Sequence, residues 1–321
     1  ETQRCVQEGK YIIMDKLSDA RKKINEIDAE MARLFVDRMN ASRDVAEYKK
    51  EHGLKIYDKN REDEVIRNNS KYIEDEEIRE YYVNFLKNNM AVSRSYQDRL
   101  MQGMKVAYCG TEGAFAHIAT AKLFPTARKI ATPDFESAYE SVVKGECDAA
   151  VLPVENSYNG EVGQVTDLMF SGSLYVAGMF ELAVSQDLLA LPGTSISDIK
   201  EVVSHPQALG QCADYIKEKG FVQREYTNTA LAARFVASNN DKSIAAIASK
   251  EAAEIFGLEV LERNINASRS NTTRFAIFSR AEHKNLSNEM GVHSILLFTV
   301  RNEAGALAKA IDVIGKHGFN M

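Results

Sequence analysis

Positively charged side chains recur on one face of the first predicted helix. Residues 11–52 contain neither proline nor glycine, and Arg21, Arg38 and Lys49 follow the spacing at which a helix buries an apolar stripe. Cations buried without partners are strongly unfavourable, and within this stripe only Asp28 is negatively charged. The pattern therefore predicts a small polyanionic ligand inside a helix bundle. A solvated helix surface with many salt bridges is the alternative.

Polar residues on the following predicted helices could complete such a binding site. Guanidinium groups form paired hydrogen bonds with carboxylates, so two arginines suit a dicarboxylate. Lys49 and Gln97 can donate hydrogen bonds to an ether or hydroxyl oxygen, and Glu62 can accept one from a hydroxyl. The residues that could converge are Arg21, Arg38, Lys49, Arg61, Glu62, Ser93 and Gln97.

A second set of polar residues follows predicted strands later in the chain, in residues 153–160, 204–212 and 271–275. Ligands favour the places where strands end and a cleft opens. Ordinary turns and helix caps are the alternative, because asparagine, serine and glycine commonly make turns. The candidate residues in these segments are Glu155, Asn156, Ser157, Ser204, Gln211, Thr273 and Arg274.

The elements that position the first set are three helices in residues 15–100. The first is predicted to end near Gly53, the second to run from a cap at Asp58 to about Asn69, and the third to span residues 75–100. A helix of about 35 residues is about 50 Å long, and two shorter helices cannot cover it. The sequence therefore predicts a dimer in which two long helices pair.

From Met104 onwards, strand and helix patterns alternate, which predicts α/β structure with mostly parallel strands. This region is long for one sheet, so we expect two lobes with a cleft between them. After a polar linker at residues 282–289, a strand is predicted at residues 292–300 and a helix at residues 304–317. One strand and one helix cannot bury a core, so this last region is expected to be the start of a domain.

Composition limits the classes of partner and location. The 321 residues are enough for two or three domains, and the net charge of −6 disfavours nucleic acid and anionic membrane as partners. The four cysteines are scattered without metal-ligand spacing, which favours a reducing cytoplasm. No apolar run approaches the roughly 20 residues of a membrane span. Residues 1–13 are interpreted as an upstream extension, with Met14 as a plausible natural start.

From Met14 onwards the chain resembles the bifunctional chorismate mutase–prephenate dehydratases. The cation pattern described above carries the first part of the resemblance, and residues 153–160, 204–212, 246–253 and Thr273-Arg274-Phe275 carry the second. One departure is Gly110-Thr111-Glu112-Gly113, where the family often has proline after the first glycine; we expect only a small change in the stiffness of this turn.

The resemblance implies a multidomain protein. Residues 14–103 would form an all-α, dimeric chorismate mutase bundle. Residues 104–281 would form a two-lobed α/β dehydratase domain like the periplasmic binding proteins, with the second lobe at about 182–262. Residues 290–321 would be the start of an α+β ACT regulatory domain.

For the mutase region, the resemblance implies that chorismate rearranges to prephenate. This unimolecular shift requires no cofactor, metal or proton transfer, so catalysis depends on holding the reactive conformer and stabilising charge on the ether oxygen. Lys49 and Gln97 are the implied donors to that oxygen, and Ser93 is a further binding residue. The implied carboxylate and hydroxyl ligands, with Arg21 crossing from the partner subunit, are Arg21, Arg38, Arg61, Asp58 and Glu62.

For the dehydratase region, the resemblance implies that prephenate is converted to phenylpyruvate, carbon dioxide and water. Thr273 is the expected hydrogen-bond donor to the departing hydroxyl, and Phe275 is an expected apolar wall for the departing carboxylate. Arg274 either binds a substrate carboxylate or forms a structural ion pair. The remaining candidates are Glu155, Asn156 and Gln211 for catalysis, and Ser157 and Ser204 for substrate binding.

The resemblance also implies inhibition of the complete protein by phenylalanine through an allosteric segment that includes Gly305, Ala306 and Leu307. Two other functions stay open on the sequence. The dehydratase could prefer arogenate, an aminated relative of prephenate. Alternatively, the two lobes could be a small-molecule binding module joined to a structural helical dimerisation domain, because fold does not set function.

Overall fold

The structure, a computed structural model, describes residues 2–266, 271–282 and 296–319, with side chains from residue 16 onwards. The N-terminal region consists of the helices α1 (Thr2–Glu51), α2 (Lys59–Asn69) and α3 (Glu76–Gln102). The Asp58 side chain caps α2 by accepting a hydrogen bond from Arg61 N at 3.1 Å. Asp75 caps α3 in the same way, through Ile78 N. These caps place the helix starts where the sequence predicts them.

Helix α1 lies along α3 and leaves most of its own surface uncovered. Of the α1 side chains that the structure describes, only Ser42 and Ala46 are buried. Apolar side chains nevertheless recur along α1, and a helix normally buries such a stripe. We call the exposed members of this stripe the α1 apolar face; they are Leu17, Ile24, Ile27, Met31, Leu34, Phe35, Val45 and Tyr48.

The α/β region begins directly after α3 and first builds most of one lobe. Its elements are β1 (Lys105–Cys109), α4 (Phe115–Leu123), β2 (Arg128–Thr132), α5 (Phe135–Val143), β3 (Ala149–Asn156), β4 (Gly160–Glu161), α6 (Gly163–Ser171) and β5 (Tyr175–Ala183). Together with the later strand β11 (Thr272–Ser279), these strands form a six-stranded sheet in the order β2-β1-β3-β11-β5, with β4 beside β3.

The chain then crosses into a second lobe, built on a five-stranded sheet in the order β10-β6-β9-β7-β8. Its elements are β6 (Asp187–Ala190), β7 (Glu201–Ser204), α7 (Pro206–Gln211), α8 (Ala213–Lys219), β8 (Val222–Glu225), α9 (Thr229–Asn239), β9 (Ile244–Ala248), α10 (Lys250–Phe256) and β10 (Glu259–Glu262). Cys212 separates α7 from α8.

Strand β11 (Thr272–Ser279) brings the chain back into the first lobe. It inserts between β3 and β5 and runs antiparallel to both. In the second lobe, β6 is antiparallel to β9 and β10, while β7 is parallel to β8 and β9. The expectation of mostly parallel strands is confirmed for strand direction, and β4, β6 and β11 are the strands that run against the others of their sheet. Strands β3 and β5 run towards the second lobe and β11 runs away from it, so the crossing reverses the direction.

The sheet of the first lobe packs against a cluster of buried apolar side chains on each face. On the face covered by α5 and α6, Phe278 is fully buried and its ring meets Tyr139 edge-on, with 5.4 Å between centroids. We expect Phe278→Ala to lower the free energy of unfolding by about 3–5 kcal/mol, through lost transfer energy and the cavity left behind. Urea unfolding measures this loss. Phe170→Ala, at an exposed phenylalanine of α6, should change stability little, and equal losses would contradict this packing account.

The end of α3 is attached to the first lobe by reciprocal ion pairs. Asp98 of α3 lies 2.5 Å from the Lys105 ammonium and 3.5 Å from the Arg128 guanidinium. In the other direction, Arg99 lies 3.7 Å from the carboxylate of Asp148, which also accepts a hydrogen bond from Lys105 N. The last turns of α3 therefore form part of both regions of the chain.

The last described segment is residues 296–319, where α11 (Ala306–Lys316) forms within the predicted helix. The strand predicted at residues 292–300 lies partly outside the described residues, and residues 296–300 form no strand. A strand requires a neighbour for its backbone hydrogen bonds, and no described strand pairs with this segment. No helix in the described part of the chain is long and apolar enough to span a membrane.

Candidate active sites

The facing sides of α1 and α3 bring together the first of the predicted mutase residues. The Arg38 guanidinium donates to the Ser93 hydroxyl and, at 3.2 Å, to the Asn89 carbonyl. Burial lowers the pKa of Arg38 from its ordinary value. Gln97 is buried one turn further along α3, and its Oε1 has no hydrogen-bond partner among the described residues. Gln97 Oε1 is thus a buried oxygen without a hydrogen-bond partner in the described part of the chain, one turn from the serine that contacts the half-buried Arg38. Such a group fits a site that binds a polar ligand.

Lys49 and the start of α2 form the other end of this region. The half-buried Lys49 ammonium donates to the Ile56 carbonyl at 2.5 Å, which leaves two of its three protons for other acceptors. Glu62 on α2 pairs with Arg94 on α3, and the Arg94 guanidinium lies over the Tyr57 ring, 5.4 Å from its centroid. Arg94 was missed by the sequence analysis, although it lies one residue from Ser93.

Three other predicted residues do not converge with these within one protomer. Arg61 is exposed and pairs with Glu64 at 2.7 Å. Asp58 is occupied as the cap of α2. Arg21 is exposed on α1, 17 residues before Arg38, which corresponds to about 25 Å along a helix. Arg21 and Arg38 of one chain therefore cannot bind the same small molecule.

In the α/β region, Asn156 at the end of β3 is the centre of a polar cluster. Its amide nitrogen lies 2.9 Å from the Thr273 hydroxyl, 2.8 Å from Asn271 Oδ1 and 3.1 Å from the Thr272 carbonyl. Its amide oxygen accepts hydrogen bonds from the next turn, from Tyr158 N and Asn159 N, both at 3.0 Å. Because both ends of the amide are fixed, the position of the Thr273 hydroxyl is well defined.

The cluster reaches the second lobe through Asn271. Asn271 is buried, and its amide donates to Gln211 Oε1 at 3.3 Å across the boundary between the lobes. Ser157 supports the same strand by accepting a hydrogen bond from Thr272 N. The sequence analysis placed Asn271 in a candidate segment but gave it no role, because nothing local indicates a contact across 60 residues.

Two predicted residues, Glu155 and Arg274, lie on the opposite face of the sheet from Thr273. Arg274 is exposed between Glu155, at 3.1 Å, and Glu181, at 2.9 Å, so its charge is neutralised by the neighbouring strands. Because successive side chains of a strand point to opposite faces, Arg274 and Thr273 cannot both face the cluster around Asn156. The structural ion pair is therefore the arrangement found for Arg274.

Two further residues lie in the core. Ser204 at the end of β7 is fully buried and donates to the Ile247 carbonyl at 2.5 Å. Phe275 is fully buried in the core beneath α4, so it does not provide the apolar wall expected of it. Apolar side chains do line a cavity of about 230 Å³ between the lobes, namely Phe115, Ile118 and Leu182.

Comparison with known proteins assigns the α/β region. Residues 106–283, more than half of the chain, match the family model for prephenate dehydratase. The chain belongs to the prephenate dehydratase family. Residues 20–98 match the model for chorismate mutase type II, so a mutase-type helical region precedes the dehydratase region.

The curated relatives of this dehydratase family member include plant and bacterial proteins. The chain is 35% identical to arogenate dehydratase/prephenate dehydratase 2 of Arabidopsis thaliana, over 68% of this chain and 57% of that protein. It is 29% identical to a bifunctional chorismate mutase/prephenate dehydratase of Buchnera aphidicola (from Acyrthosiphon pisum), over 92% of this chain and 80% of that protein. The chain thus spans little more than half the length of the first relative.

Two solved structures share the dehydratase fold. A prephenate dehydratase from Arthrobacter aurescens, in complex with L-Phe, is 26% identical with a TM-score of 0.56, over 67% of this chain and 73% of that one. GqqA, described as a novel type of quorum quenching acylase, is 30% identical with a TM-score of 0.57, over 68% of this chain and 79% of that one. The two-lobed α/β fold expected for this region is confirmed.

The glycine turn of this dehydratase region lies against the second lobe. Gly110 and Gly113 both have positive φ, of 102° and 85°, which other residues rarely adopt. A Cβ at Gly113 would lie 3.1 Å from the Phe256 ring of the second lobe. Beside this contact, Lys122 of α4 pairs with Glu251 of α10 at 2.9 Å. The lobes are therefore in contact along α4, next to the cavity.

Proposed function

We propose that this chain is a bifunctional enzyme that rearranges chorismate to prephenate and then converts prephenate to phenylpyruvate. The proposed mutase region is residues 14–103 and the proposed dehydratase region is residues 104–281. Residues 290–321 are proposed to be the start of an ACT domain. The observation that carries the proposal is the Asn156–Thr273 hydroxyl pair at the edge of the cleft, within a region of the prephenate dehydratase family. Incubation with chorismate, with separate measurement of prephenate and phenylpyruvate, tests both steps. A binding module would form neither product.

The proposed mutase site works by positioning and electrostatics. Chorismate rearranges without a nucleophile, so the protein gains rate by holding the reactive conformer and stabilising charge on the breaking ether bond. Lys49 and Gln97 are the proposed donors to the ether oxygen, and Arg38, held by Ser93, is a proposed carboxylate ligand. A chorismate transition-state mimic should bind residues 14–103, whereas a purely structural bundle would show no binding.

We propose that the mutase site is completed by a second copy of the chain. The separation of Arg21 and Arg38 along α1 excludes their joint action within one chain, whereas a partner's α1 can bring its own Arg21 to the site. The uncovered α1 apolar face supports this pairing, because a row of exposed large apolar side chains along one helix is typical of an interface. Homodimerisation then contributes both stability and one binding residue.

Complementation between inactive variants tests the shared site. In a mixed dimer of Arg21→Ala and Lys49→Ala chains, one site combines the intact Lys49 of one chain with the intact Arg21 of the other. With random pairing, half of the dimers are mixed and half of their sites are intact, so about a quarter of wild-type mutase activity should return. Refolding the two variants together from urea and assaying prephenate measures the recovery. If recovery is absent although mixed dimers form, Arg21 does not act across the interface.

The proposed dehydratase step requires one bond to break at each end of the ring. The bond to the ring carboxylate breaks, carbon dioxide leaves and the electron pair enters the ring. The opposite hydroxyl departs as water with one proton taken up from solvent, for which Thr273 is the proposed relay. Thr273 is the proposed donor to that hydroxyl. Asn156 orients Thr273 directly, and Gln211 supports Asn156 through Asn271. The new aromatic ring supplies the driving force, so a modest hydrogen-bond donor is sufficient.

Arogenate is the second candidate substrate of the dehydratase, because curated relatives at 35% identity carry that name. A parallel assay with prephenate and arogenate decides between them.

We also propose a cytoplasmic location, supported by the free state of Cys109, Cys147 and Cys212. Phenylalanine is the proposed inhibitor of the complete protein, through Gly305, Ala306 and Leu307 at the start of α11.

A further inference from the structure

A substrate with two carboxylates requires cations near the Thr273 hydroxyl, and Arg274 does not supply one. Arg274 faces away from the cluster around Asn156, and Glu155 and Glu181 already neutralise it. A carboxylate in a cleft is bound well only where a cation or several donors replace its water. A cationic ligand for a substrate carboxylate therefore has to come from outside the predicted set.

The cavity between the lobes opens on the same face of the sheet as Thr273. Thr273 on β11 is directly opposite Leu182 on β5, and directly opposed residues of neighbouring strands have Cβ atoms about 5 Å apart on one face. The Leu182 side chain lines the cavity, together with Phe115 and Ile118 of α4. Thr273 is therefore the strand neighbour of a residue that lines the cavity.

The cavity wall from the second lobe carries two cations, Lys250 and Arg263. Lys250 pairs with Glu254 at 3.2 Å on the surface of α10, whereas Arg263 has no ion pair among the described residues. The two acids of the wall have other partners. Glu251 pairs with Lys122. The Asp187 Oδ1 accepts hydrogen bonds from Ser185 Oγ and Asn264 N, both at 2.8 Å.

We propose that Arg263, with Lys250 beside it, binds the carboxylate that the dehydratase substrate retains, the one on its pyruvyl side chain. This inference rests on the dehydratase activity proposed above. The apolar wall of Phe115, Ile118 and Leu182 then faces the ring and the carboxylate that departs. A cation on the departing carboxylate would stabilise the ground state and slow its loss, so the cation belongs at the end that stays charged throughout.

Steady-state kinetics of Arg263→Gln with prephenate tests the proposal. We expect KM to rise about tenfold, the effect of one lost hydrogen bond to a charged group, while kcat stays within about twofold. Lys250→Gln should raise KM in the same direction. Phenylpyruvate keeps the pyruvyl carboxylate and lacks the other, so its product-inhibition constant should rise by the same factor as KM.

Arg234→Gln is the matched control, because Arg234 is an exposed arginine of α9 in the same lobe that does not line the cavity. Mutase activity of the same preparations reports intact folding. An unchanged KM in Arg263→Gln would overturn the proposal, as would a higher KM with unchanged product inhibition. If the wild-type chain forms no phenylpyruvate from prephenate, the proposed dehydratase function itself fails, which is a distinct result.

Discussion

Lys49→Ala is expected to lower the mutase kcat by about 10²- to 10³-fold, the effect of removing one donor to a developing oxyanion. The Lys49 ammonium is fixed by the Ile56 carbonyl at 2.5 Å, so its remaining protons are already oriented before the substrate binds. Because this donor acts mainly on charge formed in the transition state, KM should change much less than kcat. Prephenate formation from chorismate, followed at saturating substrate, measures the loss.

Lys50→Ala is the matched control, since Lys50 is the exposed neighbour of Lys49 in the last turn of α1. It should keep nearly full mutase activity. Conversion of prephenate to phenylpyruvate by Lys49→Ala should equal that of the wild type, because the dehydratase cluster lies in a different region. Equal loss of both activities would indicate a folding defect or a single shared site.

Thr273→Ala should lower the dehydratase kcat by about 10²- to 10⁴-fold, the range for a positioned proton donor. The Thr273 hydroxyl lies 2.9 Å from Asn156 Nδ2, and Thr273 is paired across the sheet with Leu182, which lines the cavity. The substitution also leaves that amide nitrogen with its bonds to Asn271 and Thr272, so the cluster itself should survive. Phenylpyruvate formation from prephenate measures the effect.

Thr273→Ser restores a hydroxyl and should recover most of the dehydratase activity, which a merely structural methyl group would not explain. Thr126→Ala, at an exposed threonine before β2, controls for the loss of a hydroxyl elsewhere. Undiminished phenylpyruvate formation by Thr273→Ala would remove Thr273 from the mechanism. Mutase activity should be unchanged in all three variants.

The helical region was largely predictable because its signals are local. Asp58 and Asp75 act within one turn of the helices that they cap, and the apolar spacing along α1 indicates a buried face whatever the partner is. Asn156, Gln211 and Thr273 lie at the end of β3, the end of α7 and the start of β11, and the sequence pattern places β3 and β11 to within a few residues. Prediction succeeded wherever the physical cause lies within a few residues of its effect.

The face of the sheet to which Thr273 and Arg274 each point was not predictable from the sequence. A register shift at Arg274/Phe275 places Thr273 beside Asn156 and Arg274 between two carboxylates. The partner Glu155 is 119 residues away along the chain, so no local pattern reports this neutralisation. The same limit hides the direction of β11, since this strand returns from a lobe that the local sequence cannot locate.

Helix ends, the amphipathic α1 face and the polar segments at strand ends were set by the order of residues alone, because capping, periodicity and turn chemistry act over a few residues. The tertiary structure alone decided which cations face the cleft: it neutralised Arg274, buried Ser204 and Phe275, and placed Arg263 and Lys250 beside Leu182. Those outcomes depend on pairing between distant strands and on contact between two lobes, and the free energy of such contacts has no counterpart in the local sequence.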